Sequence, residues 1–288
     1  MRRRPLSPGA VCVVGAANGI GAATARRLAR AGAALVLADI EPGGVYSLAC
    51  GIRGAGGRAV AHPTDVRDVA ALRRLLEVAT DAYGAVSAVI NCAAMLRPGD
   101  IAETSADDIR LQVDVNLTGT MLVAHVFVPH FLANGGGHLV NVASLGGVAP
   151  MPGETAYCAT KFGVRGFSQA LALELRGTGV IVSSVCPDST DTRMLRLEAQ
   201  HAGSAISFAS APLDVDAVAR AIIQALVRQR REVLVPGLRG LLVRLLAWFP
   251  SVFALCYPLI EWIGRRGQAR YRAQLPGPAM RPFPEVST

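Results

Sequence analysis

Ala10-Val-Cys-Val-Val14-Gly15-Ala-Ala-Asn18-Gly19-Ile20-Gly21 decides how the chain reads. Five apolar residues in a row form a short strand with no polar side, so it must be covered on both faces. The glycines that follow have the spacing GxxxGxG. They let the backbone turn tightly and approach a pyrophosphate. The helix after them offers free N–H groups and the positive end of its dipole. A plain strand-to-helix turn is the alternative for such a loop taken alone. The next apolar run, 34–38, ends at Asp39, which lies 18 residues past Gly21. A carboxylate there accepts both hydroxyls of an adenosine ribose and repels a 2′-phosphate. No Arg or Lys lies between Gly15 and Thr24 or directly after Asp39. NAD is therefore favoured over NADP.

Outward from this stretch, apolar runs alternate with helical patterns. Strands are expected at 58–61, 87–90, 138–143, 180–185 and 232–235, and helices at 22–31, 69–83, 106–133, 155–176 and 214–229. Continuous apolar strands separated by helices predict a parallel sheet covered on both faces. Right-handed crossovers make it a doubly wound α/β fold of seven strands. The expected organisation is a nucleotide-binding catalytic domain over 1–237, an apolar and basic helical extension over 238–275, and a Pro-rich mobile tail over 276–288.

Bulk composition narrows the classes. With 51% hydrophobic and 17% charged residues, a disordered chain is excluded. The net charge of +8 sits at the ends. Residues 1–4 carry three Arg, and 228–288 carry ten Arg against Glu232, Glu261 and Glu285. The body shows no basic face and no nucleic-acid module, so no nucleic-acid partner is expected. Arg2-Arg3-Arg4 would suit a secretory leader, but the apolar stretch after them reads as a buried strand. The six cysteines (12, 50, 92, 158, 186 and 256) are scattered without CxxC spacing. They read as reduced thiols of a cytoplasmic protein, and no metal site is expected.

The chemistry concentrates in Ser144-Leu-Gly-Gly-Val-Ala-Pro-Met-Pro-Gly-Glu-Thr-Ala-Tyr157-Cys-Ala-Thr-Lys161. Of 29 basic residues, Lys161 is the only lysine. Tyr157, four residues earlier, shares a helix face with it. A free tyrosine, with pKa about 10, is a poor base at neutral pH. An ammonium one turn away stabilises the phenolate, and lysine does this as a compact charge with three donors. Ser144 leaves the fifth strand at the edge where ligands bind, and its hydroxyl suits a substrate oxygen. Asn116 sits mid-helix among apolar neighbours, where its amide needs partners; a water linking it to Lys161 would serve. Asp65-Val66 after the third strand suits an adenine, and Asn91 to Ala94 after the fourth leaves space beside a cofactor. The bland alternatives are a helix cap for Asp65, a turn residue for Ser144 and a half-buried aromatic for Tyr157.

With these residues in hand, the chain resembles the short-chain dehydrogenase/reductase family over roughly 8–236. The family's T-G-x-x-x-G-x-G motif falls on Val14 through Gly21. Its Asn–Ser–Tyr–Lys tetrad falls on Asn116, Ser144, Tyr157 and Lys161, with 13 positions from serine to tyrosine. The resemblance implies a Rossmann-type subunit, a nicotinamide cofactor, and hydride transfer between a secondary alcohol and a ketone. In it Tyr157 is the acid/base, Lys161 lowers its pKa, Ser144 holds the substrate oxygen and Asn116 orders the proton relay. The cofactor would meet Gly15, Asn18, Gly19, Ile20 and Gly21, then Asp39, Asp65, Val66, Asn91 and Ala93. Tyr157, Lys161, Pro187 and Thr192 would complete its site. Assembly as a dimer or tetramer is also implied. Three positions depart from the pattern: Val14 for threonine, Ala94 for glycine, and Asp188 for the glycine of Pro-Gly. Asp188 would bring a charge beside the nicotinamide.

The extension carries no charge from Leu245 to Ile260, 16 residues broken by Pro250 and Pro258. A membrane span needs about 20 residues, so a span is not expected. Trp248, Tyr257 and Trp262, followed by Arg265 and Arg266, suit peripheral anchoring at a membrane surface through 238–266. A cap over the substrate pocket or an oligomer contact are the alternatives. The lid segment 194–212 contains Leu195, Leu197, Ile206 and Phe208, which suggests a lipophilic alcohol or ketone. A competing reading is a low-turnover nucleotide-binding scaffold or sensor at a membrane surface.

Overall fold

The computed structural model of this chain describes residues 9–275. Arg2-Arg3-Arg4 and the Pro-rich 276–288 lie outside the described residues. The chain begins with β1 (Ala10–Val14), α1 (Gly19–Arg30), β2 (Ala34–Asp39), α2 (Pro42–Gly54) and β3 (Arg58–Pro63). Next come α3 (Val69–Tyr83), β4 (Val86–Asn91), α4 (Ala106–Val113), α5 (Gly119–Ala133) and β5 (Gly137–Val142). The wound sheet is completed by α6 (Thr155–Glu174), β6 (Val180–Pro187), α7 (Arg193–Gln200), α8 (Val215–Arg228) and β7 (Glu232–Val235). Two helices follow it, α9 (Gly237–Ala247) and α10 (Pro250–Gln274).

The strands pair in parallel in the order β3-β2-β1-β4-β5-β6-β7. Alternation along each strand divides its side chains between two cores. Val11 and Val13 lie opposite Leu35 and Leu37 and pack with Leu28 of α1, Val45 of α2 and Ile222 of α8. Cys12 and Val14 point the other way, into Leu72 of α3 and Phe127 and Phe131 of α5. Each fully buried aliphatic side chain contributes about 1.5–3 kcal/mol. A one-residue slip would exchange the two sets and lose both, so the register is fixed. The strand order reverses between β1 and β4, which opens a crevice at the carboxyl ends of the strands.

Two elements differ from the sequence expectation. α2 is an additional helix. Its glycines at 43, 44 and 51 weaken the helical signal, but Val45, Leu48, Ala49 and Ile52 make a buried stripe. The long helix expected over 106–133 is interrupted. A π turn at Asp114–Thr118 separates α4 from α5 and carries Asn116.

The extension packs by close backbone approach. A β-carbon on Gly240 of α9 would come within 2.5 Å of Leu234 Cβ in β7. α10 crosses the 3-10 stretch Ala202–Phe208, where β-carbons on Gly264 and Gly267 would meet the carbonyl oxygens of Ala205 and Phe208 at 2.2 and 2.0 Å. The opposite side is bare. Eleven large hydrophobic residues between Leu238 and Ile263 are exposed, including Leu255 at 81% and Trp248 at 68%. Neither α9 nor α10 is long and apolar enough to cross a membrane. Among the described residues only the run Ala106–Ala133 is, and it covers the sheet through Phe127 and Phe131.

A helix-interior Gly→Ala change ordinarily gains about 1 kcal/mol. At Gly264 the added carbon meets main chain, and overpacking of that kind costs about 1–3 kcal/mol. Gly264→Ala should therefore lower stability, read as a lower urea midpoint, whereas Leu255→Ser on the bare side should stay within about 0.5 kcal/mol.

Candidate active site

The crevice draws its walls from the loops after β1 through β6. At its first end, Gly15 has φ +77°, and a β-carbon there would lie 2.5 Å from Ala93 N. A β-carbon on Gly21 would lie 1.9 Å from Gly15 O. Asn18, Gly19, Ile20 and Gly21 all line the cavity. Asn18 caps α1 without a side-chain hydrogen bond, and the first turn of α1 holds no acid. The amides at this helix start are left for an anion, so the loop fits a pyrophosphate.

Asp39 ends β2 at the same edge. Its Oδ2 accepts from Ala17 N at 2.9 Å and its Oδ1 from Glu41 N at 3.0 Å. Burial pushes this carboxyl up, and those hydrogen bonds oppose the rise. Each oxygen keeps a lone pair for a ribose hydroxyl. Arg193 reaches the same end from α7 and pairs with Glu41 at 2.5 Å. Asp65 and Val66 line the cavity too. Burial raises the Asp65 carboxyl, but Arg67 at 2.6 Å outweighs it and holds it below its usual value. Ala93 is in the wall, whereas Asn91 stands behind it. The Asn91 amide donates to Thr120 Oγ1 at 3.1 Å and accepts from Ala93 N at 3.2 Å, so it shapes the loop from inside. Cys92 N–H also donates to Val14 C=O at 2.8 Å. Main chain thus docks this loop to β1 without the threonine that Val14 replaces.

The other end holds Ser144, Tyr157 and Lys161. Ser144 Oγ accepts from Gly146 N at 3.0 Å. Lys161 Nζ donates to Val142 O at 3.0 Å and lies 5.6 Å from the Tyr157 ring centre. Burial lowers the Lys161 ammonium to about 8. Burial raises the Tyr157 phenol, the charges of Glu198 and Glu154 add to the rise, and a hydrogen bond with Ser144 opposes it. The lowered tyrosine expected from Lys161 alone is thus outweighed by the protein's own burial and carboxyls. Pro187 and Thr192 complete this wall.

Asn116 is buried outside the cavity wall. The π turn aims its amide at the loop after β4, where Oδ1 accepts from Met95 N at 2.8 Å. Its Nδ2 donates to Met95 O at 2.9 Å and to Thr160 Oγ1 at 3.1 Å. The amide's hydrogen bonds are thus met by Met95 and Thr160. Asp188 departs from expectation. Its carboxylate pairs with Arg239 of α9 at 2.6 Å and accepts from Ser189 N at 2.7 Å. The charge feared beside the nicotinamide meets a cation delivered by the extension.

The lid differs most. Leu195 and Phe208 turn away from the crevice and pack with Tyr271 and Leu275 behind it. The lid residues that line the cavity are Met194 and Glu198, with Arg193 directly before them. Glu198 and Glu154 escaped the sequence reading. Glu154, three residues before Tyr157, offered a spacing signal, whereas nothing local marked Glu198.

The sequence pattern of the family described as short chain dehydrogenase matches residues 9–203. The 2,5-dichloro-2,5-cyclohexadiene-1,4-diol dehydrogenase LinX of Sphingobium indicum is 35% identical over 180 residues, 62% of this chain and 72% of the relative. The ketoacyl reductase HetN of Nostoc sp. is 31% identical over 225 residues, 78% of this chain and 77% of the relative. Among solved structures, a short chain dehydrogenase/reductase from Burkholderia phymatum in complex with NAD superposes with a TM-score of 0.77 at 27% identity, covering 84% of this chain and 94% of that one. An actinorhodin polyketide ketoreductase with NADPH superposes with a TM-score of 0.74 at 28% identity, covering 82% and 98%. The chain belongs to the short-chain dehydrogenase/reductase family of oxidoreductases.

Proposed function

We propose that this protein interconverts a secondary alcohol and a ketone with NAD. One observation carries the reading: a single crevice joins Ser144, Tyr157 and Lys161 to the glycine turn and Asp39. A nicotinamide nucleotide bound along it supplies the hydride acceptor or donor. The turn from Gly15 to Gly21 would hold the pyrophosphate, and Asp39 the adenosine ribose. Asp65, Val66 and Ala93 would flank the base, with Pro187 and Thr192 toward the nicotinamide. Structures of relatives carry either NAD or NADPH. Asp39 favours NAD, since it would repel a 2′-phosphate, and two cations of the crevice wall, Arg193 and Arg67, face the carboxylates of Glu41 and Asp65.

Tyr157 gives or takes the proton at the substrate oxygen, and Ser144 holds that oxygen. Lys161 is the cation on the same helix face, 5.6 Å from the ring centre, and its charge would oppose the carboxyls that raise the phenol. Asn116 positions Met95 and α6 rather than touching substrate. The cavity wall adds Met95, Leu145, Met151 and Met194, which supports a substrate with an apolar body. The relatives' names, a cyclohexadiene-diol dehydrogenase and a ketoacyl reductase, fit a hydroxyl or ketone on such a body.

Exposed Met121 and Leu132 on α5 and Phe162 and Leu173 on α6 support assembly with further copies as a dimer or tetramer. Six unpaired cysteines support a reducing, cytoplasmic setting. The bare side of α9 and α10, with Arg266 stacked over Trp262, supports peripheral docking on an anionic membrane surface.

Tyr157→Phe should lower kcat/KM on the best secondary alcohol by about 10²–10⁴ while NADH binding, followed by fluorescence titration, persists. Nucleotide binding with no Tyr157-dependent turnover across a broad alcohol and ketone panel would instead favour the scaffold reading. Asp39→Ala should shift the NAD-to-NADP preference toward NADP by at least about tenfold, roughly 1.4 kcal/mol; an unchanged ratio defeats the ribose role. The full chain should float with anionic vesicles, and Trp248→Glu with Leu255→Glu should abolish flotation without altering the melting temperature.

A further inference from the structure

Two carboxyl groups in the crevice wall are unused by the chemistry above. Glu154 lies directly before α6, and Glu198 projects from α7. They are 2% and 8% exposed, and both line the cavity beside Tyr157. Ser207 Oγ donates to Glu154 Oε1 at 3.3 Å, and Glu198 meets both Ser207 and Glu154. The other groups that bear on the pair are Ser204, Tyr157 and Asp188. Among the described residues, no Lys, Arg or His forms an ion pair with either carboxyl.

Two carboxyls in contact without a cation do not both ionise. Burial raises both carboxyls, and Glu154 raises Glu198 further, so the pair favours keeping a proton. It then presents one O–H donor together with open acceptor sites. One acceptor has spare capacity: Glu154 Oε2 is buried and makes no hydrogen bond of ordinary geometry, although the side chains of Ser204 and Glu198 bear on the carboxyl. A buried oxygen left in that condition is unfavourable until a ligand group reaches it. The chemistry of the pair selects among ligand groups. A hydroxyl can donate to Glu154 Oε2, and its own oxygen can accept the carboxylic O–H when that proton turns from the partner carboxyl to the ligand. A carbonyl can only accept. An ammonium can only donate, and would do best if the pair lost its proton.

The geometry points to a second-hydroxyl subsite: Glu154 and Glu198 bind an alcohol group on the substrate apart from the carbinol held by Ser144 and Tyr157. The substrate class is then a diol, or the matching hydroxyketone, with an apolar body between its oxygens. This rests on the oxidoreductase reading and makes it more specific.

The test compares cyclohexanol, the isomeric cyclohexanediols and an aminocyclohexanol with wild type and with Glu154→Met, Glu198→Met and Glu154→Gln. The best diol should exceed cyclohexanol by at least about tenfold in kcat/KM, because a site built to bond a hydroxyl rejects the analogue lacking it. Each methionine variant should bring that ratio toward one, and Glu154→Gln should keep part of it. Equal use of diol and cyclohexanol by wild type overturns the subsite, as does a ratio unchanged in both methionine variants. A preference for the aminocyclohexanol overturns it in favour of a cation site. Equal losses on every substrate with a lowered melting temperature would mean that the pair only pins α7 to α6, which also overturns it. Absence of turnover on every alcohol and ketone strikes the oxidoreductase reading alone. In that event, calorimetric affinities of the same alcohols for the wild-type NADH complex decide the subsite by the same diol-to-cyclohexanol ratio.

Discussion

The contact between Gly15 and the loop after β4 governs the rest of the site. Ala93 N would lie 2.5 Å from any β-carbon at position 15, so the two segments approach as bare main chain. Cys92 N–H and Val14 C=O bond across the same gap. This clasp closes the crevice floor where the strand order reverses. It also leaves the first amides of α1 at the crevice and holds Ala93 in its wall. A side chain at position 15 would do more than remove a turn. It would separate β1 from β4, on which both cores depend.

The opposite end is organised by buried polar groups whose partners lie far apart in sequence. Asn116 joins Met95 to Thr160, and Thr160 Oγ1 donates to Tyr157 O at 2.7 Å. The π turn makes this possible, since a regular helix would aim the amide elsewhere. Thr120 Oγ1 then donates to Asn116 O at 2.7 Å. Around Tyr157 the electrostatics oppose one another. Burial and the neighbouring carboxyls favour the neutral phenol and the hydrogen bond with Ser144 opposes them, while the Lys161 ammonium stands 5.6 Å from the ring centre. Lys161 is itself weakened by burial, which lowers it to about 8. The acid–base behaviour of Tyr157 belongs to the whole group, including two residues on the substrate side.

Local signals in the sequence located β1, the glycine turn, Asp39 and the Ser144–Tyr157–Lys161 set, because each is fixed by spacing within one strand–turn–helix unit or one helix turn. What was not legible depends on contacts across the fold. α2 is helical because its stripe packs on the sheet, against the propensity of its glycines. Arg193 reaches Glu41 across 152 positions, and no reading near Asp39 could find it. Glu198 lies in a segment whose Leu195 and Ile206 suggested an apolar pocket. The direction each lid residue faces was set by α10, which takes Leu195 and Phe208 and leaves Glu198 to the crevice.

The extension is therefore part of the site's construction. α9 supplies Arg239 to Asp188. α10 supplies Gln268, whose Nε2 donates to Glu198 O at 3.1 Å and His201 O at 2.7 Å, while Arg272 bonds the carbonyl of Ala199. The main chain that carries Glu198 is held from behind by these bonds and by the close passage at Gly264 and Gly267. A flexible lid would leave the carboxyl at 198 free to turn toward water. Fixed in this way, it stays buried against Glu154, and the burial keeps a proton on the pair. The extension has two unlike sides for this reason: the inner one is small and polar to reach lid backbone, and the outer one is free of that constraint and carries the exposed leucines and tryptophans.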